Sequence, residues 1–223
     1  MRKSVLRMVE QERIIAIVRG VEPSKCLKTA EALYQGGIRL LEVTYDQSAP
    51  ESWPATAGAI RQLAQVFAGK LAVGAGTVTT PELVDLTKEA GGLFVISPDT
   101  NAAVIQRTRE LDLVSIPGAM TPSEILEACR AGADLVKVFP ASVLGPAYFK
   151  AAQGPLSHVK LMAVGGVNEK NITEFLAAGA VGAGIGGNLA NRVWIDKGEF
   201  QKLTETARAL TDNVRAFERG RGK

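Results

Sequence analysis

Asp134-Leu-Val-Lys-Val-Phe-Pro-Ala141 reads as a short strand. Ala131-Gly132-Ala133 precedes it with the glycine that ends a helix, and Pro140 stops the run. Its nearly continuous apolar character is what a parallel strand covered on both faces requires. Outward from it the same pattern returns. Arg13-Ile-Ile-Ala-Ile-Val-Arg19, Arg39-Leu-Leu-Glu-Val-Thr-Tyr-Asp46, Leu71-Ala-Val-Gly-Ala-Gly-Thr-Val78 and Leu93-Phe-Val-Ile-Ser97 come before it, as does Leu113-Val-Ser-Ile-Pro117. Lys160-Leu-Met-Ala-Val164 and Val181-Gly-Ala-Gly-Ile185 follow. Successive starts lie roughly 20 to 32 residues apart, the length of a strand, a helix and two loops.

Amphipathic stretches fill the gaps. Leu27, Ala30 and Leu33 mark one face of Ser24–Gln35, and Thr121-Pro-Ser-Glu124 spells a capping box with proline at the first helical position. Thr80-Pro81 opens another helix in the same way. Gly36-Gly37, Gly91-Gly92, Gly132 and Gly179 close helices before the next strand. Eight strand–helix units in series predict an α/β fold: a single (β/α)8 TIM barrel, with Met1–Glu12 as an extra N-terminal helix and Phe200–Glu218 as the last. An open doubly wound sheet is the rival, disfavoured because no long crossover breaks the even spacing. Residues 1–223 read as one domain, without a linker or low-complexity segment.

Composition narrows the function. The chain has 223 residues and is 46% hydrophobic, enough for one sizeable core. Net charge is only +3, and the one basic cluster, Arg219-Gly-Arg-Gly-Lys223, reads as a frayed tail, so no nucleic-acid partner is expected. No apolar stretch reaches the length of a membrane span, and Met1–Gln11 lacks the apolar region of a signal peptide. Cys26 and Cys129 lie far apart, which suits the cytoplasm, and no Cys/His cluster suggests a metal. His158, the only histidine, precedes strand seven on the face away from barrel active sites, which sets aside Ser-His and Cys-His mechanisms.

Two charges interrupt the apolar runs. Alternation puts Lys137 on one face with Leu135 and Phe139, and Glu42 on one face with Leu40 and Thr44. If those faces point inward, an ammonium and a carboxylate share the barrel interior. The structural explanation is an internal ion pair. The functional one is a lysine whose pKa burial depresses, freeing a nucleophilic amine beside a proton carrier. Glycines cluster where barrel active sites lie: Gly74-Ala-Gly-Thr77, Gly165-Gly166 and Gly184-Ile-Gly-Gly-Asn188, the last two following strands seven and eight, where backbone N–H groups often hold phosphate. Gly186 and Gly187 belong to the last cluster. Arg19 closes strand one and suits a substrate carboxylate, unless it pairs with Glu22 or Asp46 at the surface.

Leu41-Glu-Val-Thr44, Val73-Gly-Ala-Gly-Thr-Val78, Ile96-Ser-Pro98, Ile116-Pro-Gly118, Val136-Lys-Val-Phe-Pro140 and Gly165-Gly166 occur in an order that resembles 2-keto-3-deoxy-6-phosphogluconate/4-hydroxy-2-oxoglutarate aldolases, from about Arg13 to Ala190. The resemblance implies a class I aldolase of carbohydrate metabolism, a homotrimer needing no cofactor or metal, which acts on a small oxo acid. It implies cleavage to pyruvate and glyceraldehyde 3-phosphate or glyoxylate. It makes Lys137 the imine-forming residue and Glu42 the acid/base, through a water. It puts Thr77 and Arg19 on the pyruvate carboxylate and Pro98 and Phe139 in the pocket wall. Three positions depart from the family pattern: Asp46 for an arginine, Val164 for a threonine and Asn188 for a serine. Fewer hydroxyl donors at the phosphate end suggest that hydroxyoxoglutarate is favoured. The other readings are a barrel epimerase or isomerase acting on phosphorylated sugars, and a non-catalytic oxo-acid-binding barrel.

Overall fold

The structure, a computed structural model, describes residues 2–221. Its strands are β1 (Ile14–Val18), β2 (Leu40–Thr44), β3 (Ala72–Gly76), β4 (Phe94–Ile96), β5 (Val114–Ile116), β6 (Gly118–Ala119), β7 (Val136–Val138), β8 (Leu161–Val164) and β9 (Gly182–Ile185). They form one sheet ordered β5-β4-β3-β2-β1-β9-β8-β7-β6, with every pairing parallel. The two ends of that order, β5 and β6, are consecutive in the chain. They are one stave split at Pro117, which has no N–H to give the ladder. The stave still reaches its neighbour: Lys137 N donates to the Pro117 carbonyl at 2.8 Å and Asp134 N to that of Ser115 at 3.0 Å. The nine segments therefore make an α/β barrel of eight staves.

Around the barrel lie α1 (Arg2–Glu12), α2 (Pro23–Gln35), α3 (Trp53–Val66), α4 (Pro81–Glu89), α5 (Ala102–Glu110), α6 (Pro122–Ala131), α7 (Ala141–Gln153), α8 (Ile172–Ala177), α9 (Arg192–Asp196) and α10 (Phe200–Arg221). The local rules held where they were specific. The capping box of α6 forms, with Glu124 N donating to Thr121 Oγ1 and the Glu124 carboxylate accepting from Thr121 N. The tail expected to fray is helical through Arg221, because α10 packs along α2 and α8 and buries Leu203, Ala207, Leu210 and Val214. Met1, Gly222 and Lys223 lie outside the described residues. Among the described residues, no helix is long and apolar enough to cross a membrane.

Two apolar cores separate by strand face. Leu41, Val43, Val136 and Val138 point outward and pack with the helices. Leu40, Ile15, Ile17, Leu135 and Met162 point inward and fill the barrel. The α1 helix plugs the N-terminal end of the barrel with Val5 and Val9. Full burial of side chains of this kind contributes about 1.5 to 3 kcal/mol each. Arg2 Nη1 anchors that plug to Asp134, which also accepts from Arg109 Nη1 and Ser115 N. With the lower half packed, the upper half is left for polar groups.

Candidate active site

Strand alternation carries Glu42 and Lys137 into the barrel above this packed floor. Glu42 sits in register with Ile17 on one side and Gly74 on the other, while Lys137 lies level with Gly118 and Met162. The glycines of β3 explain how a carboxyl fits there. A side chain at Gly76 would overlap the Glu42 carboxyl group, and one at Gly74 would overlap the Phe94 ring. The sequence puts Gly74 and Gly76 both in the apolar run Leu71–Val78 and in a glycine cluster at the strand end. Both lie within β3 and make room rather than a turn.

Glu42 is 1% exposed, and among the described residues neither of its carboxyl oxygens has a hydrogen-bond partner. Burial pushes its pKa up to about 7, with the charges of Lys137 and Arg19 pulling the other way. Lys137 is 6% exposed, and burial holds its amine below the usual lysine range; Glu42 opposes that shift and Arg19 adds to it. The Lys137 Nζ stands 5.0 Å from the centroid of the Phe139 ring. Among the described residues, no contact within 4.0 Å joins Lys137 to Glu42. A structural ion pair would satisfy the carboxylate, and this arrangement leaves it unsatisfied. Two titratable groups pushed toward neutrality in one apolar chamber suit a nucleophile and a proton carrier.

Above them a cavity of about 550 Å³ opens at the C-terminal ends of the strands. It is lined by Lys137, Arg19, Thr77, Pro98, Phe139, Gly165, Gly166, Gly186, Gly187 and Asn188, so every predicted site residue except Glu42 meets there. Glu42 is absent from the lining and fully buried. Val164, which stands where the family pattern has a threonine, lines the cavity as expected, and Ile17 and Val167 supply apolar wall that the sequence reading did not assign to the site. A neighbouring cavity of about 530 Å³ shares Arg19 and Thr77 but is lined by neither Lys137 nor Glu42.

Arg19 Nη2 donates to Thr77 Oγ1 at 3.1 Å. Asp46 instead accepts from Ser48 N and Oγ, which holds its pKa below the usual carboxylate range, with Arg19 adding a smaller pull. Neither Glu22 nor Asp46 forms an ion pair with Arg19 among the described residues, so the surface-pair reading of this arginine fails. Thr77 is one of few non-glycine residues with positive φ, at 57°. Such a backbone persists only where neighbours enforce it. Here Gln47 Nε2 donates to the Thr77 carbonyl at 2.7 Å, while Thr79 Oγ1 donates to Gln47 Oε1 at 2.9 Å. Sequence reasoning missed Gln47, because nothing in a surface loop marks an amide as holding a strained residue. Asn188 lines the cavity, but its Nδ2 donates to the Val167 carbonyl at 3.0 Å.

A parallel barrel with a buried amine and a buried carboxyl below a mouth lined by Arg19 and glycine loops is the arrangement of a class I aldolase, a carbon–carbon lyase. Residues 5–206 match the family model "Aldolase: KDPG and KHG aldolase", and the chain belongs to that family. It is 34% identical to the 2-dehydro-3-deoxy-6-phosphogalactonate aldolase of Escherichia coli (strain K12), over 79% of this chain and 83% of that one. It is 32% identical to the KHG/KDPG aldolase of the same strain, over 83% and 84%. A solved KDPG aldolase from Legionella pneumophila, with pyruvate captured as a covalent carbinolamine intermediate, superposes with a TM-score of 0.82 at 29% identity, covering 94% of this chain and 98% of that one.

Proposed function

We propose that this chain cleaves 2-keto-3-deoxy acids of six carbons phosphorylated at C6, and more slowly 4-hydroxy-2-oxoglutarate, through an imine on Lys137. The single observation that carries the reading is the buried Lys137 amine lining the cavity, with the Glu42 carboxyl buried in the same barrel interior and close enough for each charge to act on the other. The neutral amine attacks the C2 carbonyl; Glu42, acting through a water, gives the proton with which the hydroxyl leaves as water, so that a protonated imine and a Glu42 carboxylate result. Glu42, acting through a water, takes the proton of the C4 hydroxyl. The C3–C4 bond breaks, the aldehyde departs and the electron pair passes into an enamine. A proton returned to C3 gives the pyruvate imine, and water releases pyruvate. A carboxyl poised near pH 7 can take and return that proton.

Arg19 and the Thr77 hydroxyl hold the pyruvate carboxylate, a task for which a guanidinium is suited. Phe139 and Pro98 form the wall. The glycine loops Gly165-Gly166 and Gly186-Gly187-Asn188 take the phosphate with backbone donors. These donors favour the phosphorylated substrates, reversing the preference suggested by the lost hydroxyls. The relatives' names cover both the galactonate and the gluconate substrates, and both belong to this proposal. Release of pyruvate from the two phosphorylated acids and from hydroxyoxoglutarate, followed by coupling to lactate dehydrogenase, tests it. No turnover of any of them would sink the reading, and faster turnover of hydroxyoxoglutarate would sink its phosphate part.

The same reading carries a single-domain, cytoplasmic enzyme of sugar-acid breakdown, consistent with the free thiols of Cys26 and Cys129. It also carries a homotrimer. Met120 and Val143, 44% and 72% exposed, offer apolar surface for it, and a solved cage at 30% identity is described as a fusion of symmetric oligomeric domains. Sedimentation at working concentration decides between trimer and monomer.

A further inference from the structure

The loop after β8 is held in an unusual way. Gly165 and Gly166 both have positive φ, 95° and 77°, and each carbonyl of the Gly165-Gly166-Val167 stretch is tied by a donor. Ser142 N donates to Gly165 O at 2.9 Å, Asn171 Nδ2 to Gly166 O at 3.1 Å, and Asn188 Nδ2 to Val167 O at 3.0 Å. The Asn171 carboxamide is used at both ends, since its Oδ1 accepts from Asn168 N at 2.9 Å. In a planar trans peptide the N–H points opposite to the C=O. Fixing the Gly165 and Gly166 carbonyls therefore fixes where the N–H groups of Gly166 and Val167 point. Those N–H groups donate to no protein acceptor among the described residues, and both residues line the cavity above Lys137. Across the cavity, the Gly186 carbonyl accepts from Leu189 N and Ala190 N, which sets the Gly187 N–H by the same rule. Successive free N–H groups in a left-handed turn form an anion-binding concavity.

We infer that Asn171 is a positioning residue for the phosphate end of the substrate. It touches no ligand. It holds the Gly166 carbonyl back, so that the Val167 N–H faces the incoming anion, and Asn188 supports it by tying the loop after β9 to the loop after β8. The inference rests on the proposed aldolase reading and adds a determinant of phosphate preference to it. This gives the Asn188 side chain an indirect role.

The test compares kcat/KM for the phosphorylated keto acid with that for 4-hydroxy-2-oxoglutarate in Asn171→Asp and Asn171→Leu. The Asp variant keeps the acceptor for Asn168 N but puts an anionic oxygen in place of the donor to Gly166 O, leaving only the 3.5 Å contact from Asn168 Nδ2; the Leu variant removes the donor without adding charge, so a ratio that falls in the Asp variant alone reports repulsion and overturns the inference. The ratio of the two values is expected to fall about tenfold or more, as one charge-assisted hydrogen bond is lost, and inhibition by inorganic phosphate should weaken in parallel. A general structural defect would lower both substrates together and leave the ratio unchanged, which would overturn the inference. If neither Asn171 variant folds, Asn188→Ala, at an exposed position, decides the matter. A drop in the ratio and weaker phosphate inhibition support the inference, and wild-type values of both overturn it. Borohydride trapping of pyruvate on the wild-type enzyme is run alongside. Its absence would bring down the parent reading, whereas trapping with an unchanged ratio would bring down only the role of Asn171.

Discussion

Glu42→Gln separates catalysis from stability in one substitution. The carboxyl is buried, without a hydrogen-bond partner among the described residues, and its pKa rises from 4.5 to about 7. A raised acid pKa means that the folded protein holds the proton longer than the unfolded chain does. Stability is therefore greatest below the unfolded value and falls as pH rises from about 4.5 through 7. At about 1.4 kcal/mol per unit, the loss reaches roughly 3 kcal/mol at pH 8 to 9. Glutamine has the same shape and does not titrate. The Lys137 contribution is of opposite sense because its pKa is lowered, and loss of the Glu42 charge, which opposes that shift, makes it larger in the variant and adds to the variant's gain with pH. Urea unfolding of both proteins from pH 5 to pH 9 should show nearly equal stability at pH 5. The variant should gain roughly 3 kcal/mol or more by pH 9, while losing about 10²- to 10⁴-fold in kcat. A difference that does not change with pH would refute the claim that Glu42 is a buried, unpaired acid. Wild-type kcat in the variant would refute its catalytic role.

Two further substitutions probe the frame. Thr77→Gly removes a left-handed backbone strain of about 1 to 2 kcal/mol and with it the hydroxyl that accepts from Arg19. The variant should melt no lower than wild type yet show a raised KM for pyruvate, and an unchanged KM in exchange assays would remove Thr77 from the carboxylate site. Asp134→Ala deletes the acceptor for Arg2, Arg109 and Ser115 N and should cost about 2 to 4 kcal/mol in denaturant unfolding, with kcat near wild type in the folded fraction. A loss below 0.5 kcal/mol, the scale of an ordinary surface change, would show that the α1 plug does not depend on this anchor.

The sequence made the barrel legible because its signals were local and repeated. Eight apolar runs at even spacing each became a stave, and alternation placed Glu42 and Lys137 inward without any knowledge of the rest. The division of stave five was legible only in hindsight, from Pro117. The run Leu71–Val78 gave β3, but the purpose of Gly74 and Gly76 within it was not legible, because a glycine that opens space for a neighbouring carboxyl looks like one that opens a turn. What stayed hidden was the layer that holds the site: Gln47 on Thr77, and Asn171 on Gly166. These contacts join segments whose spacing has no period, and an amide at a loop position carries no mark of its partner. The extent of the last helix was also missed, because its stability comes from packing on α2 rather than from its own sequence.

Pyruvate and sodium borohydride, with the adduct mapped by mass spectrometry, test the central claim most directly. One reduced pyruvate unit should attach to the Lys137 amine and to no other lysine, and its yield should fall at low pH as the amine becomes protonated. Labelling of a surface lysine with Lys137 unmodified, or no labelling of an enzyme that turns over substrate, would contradict it.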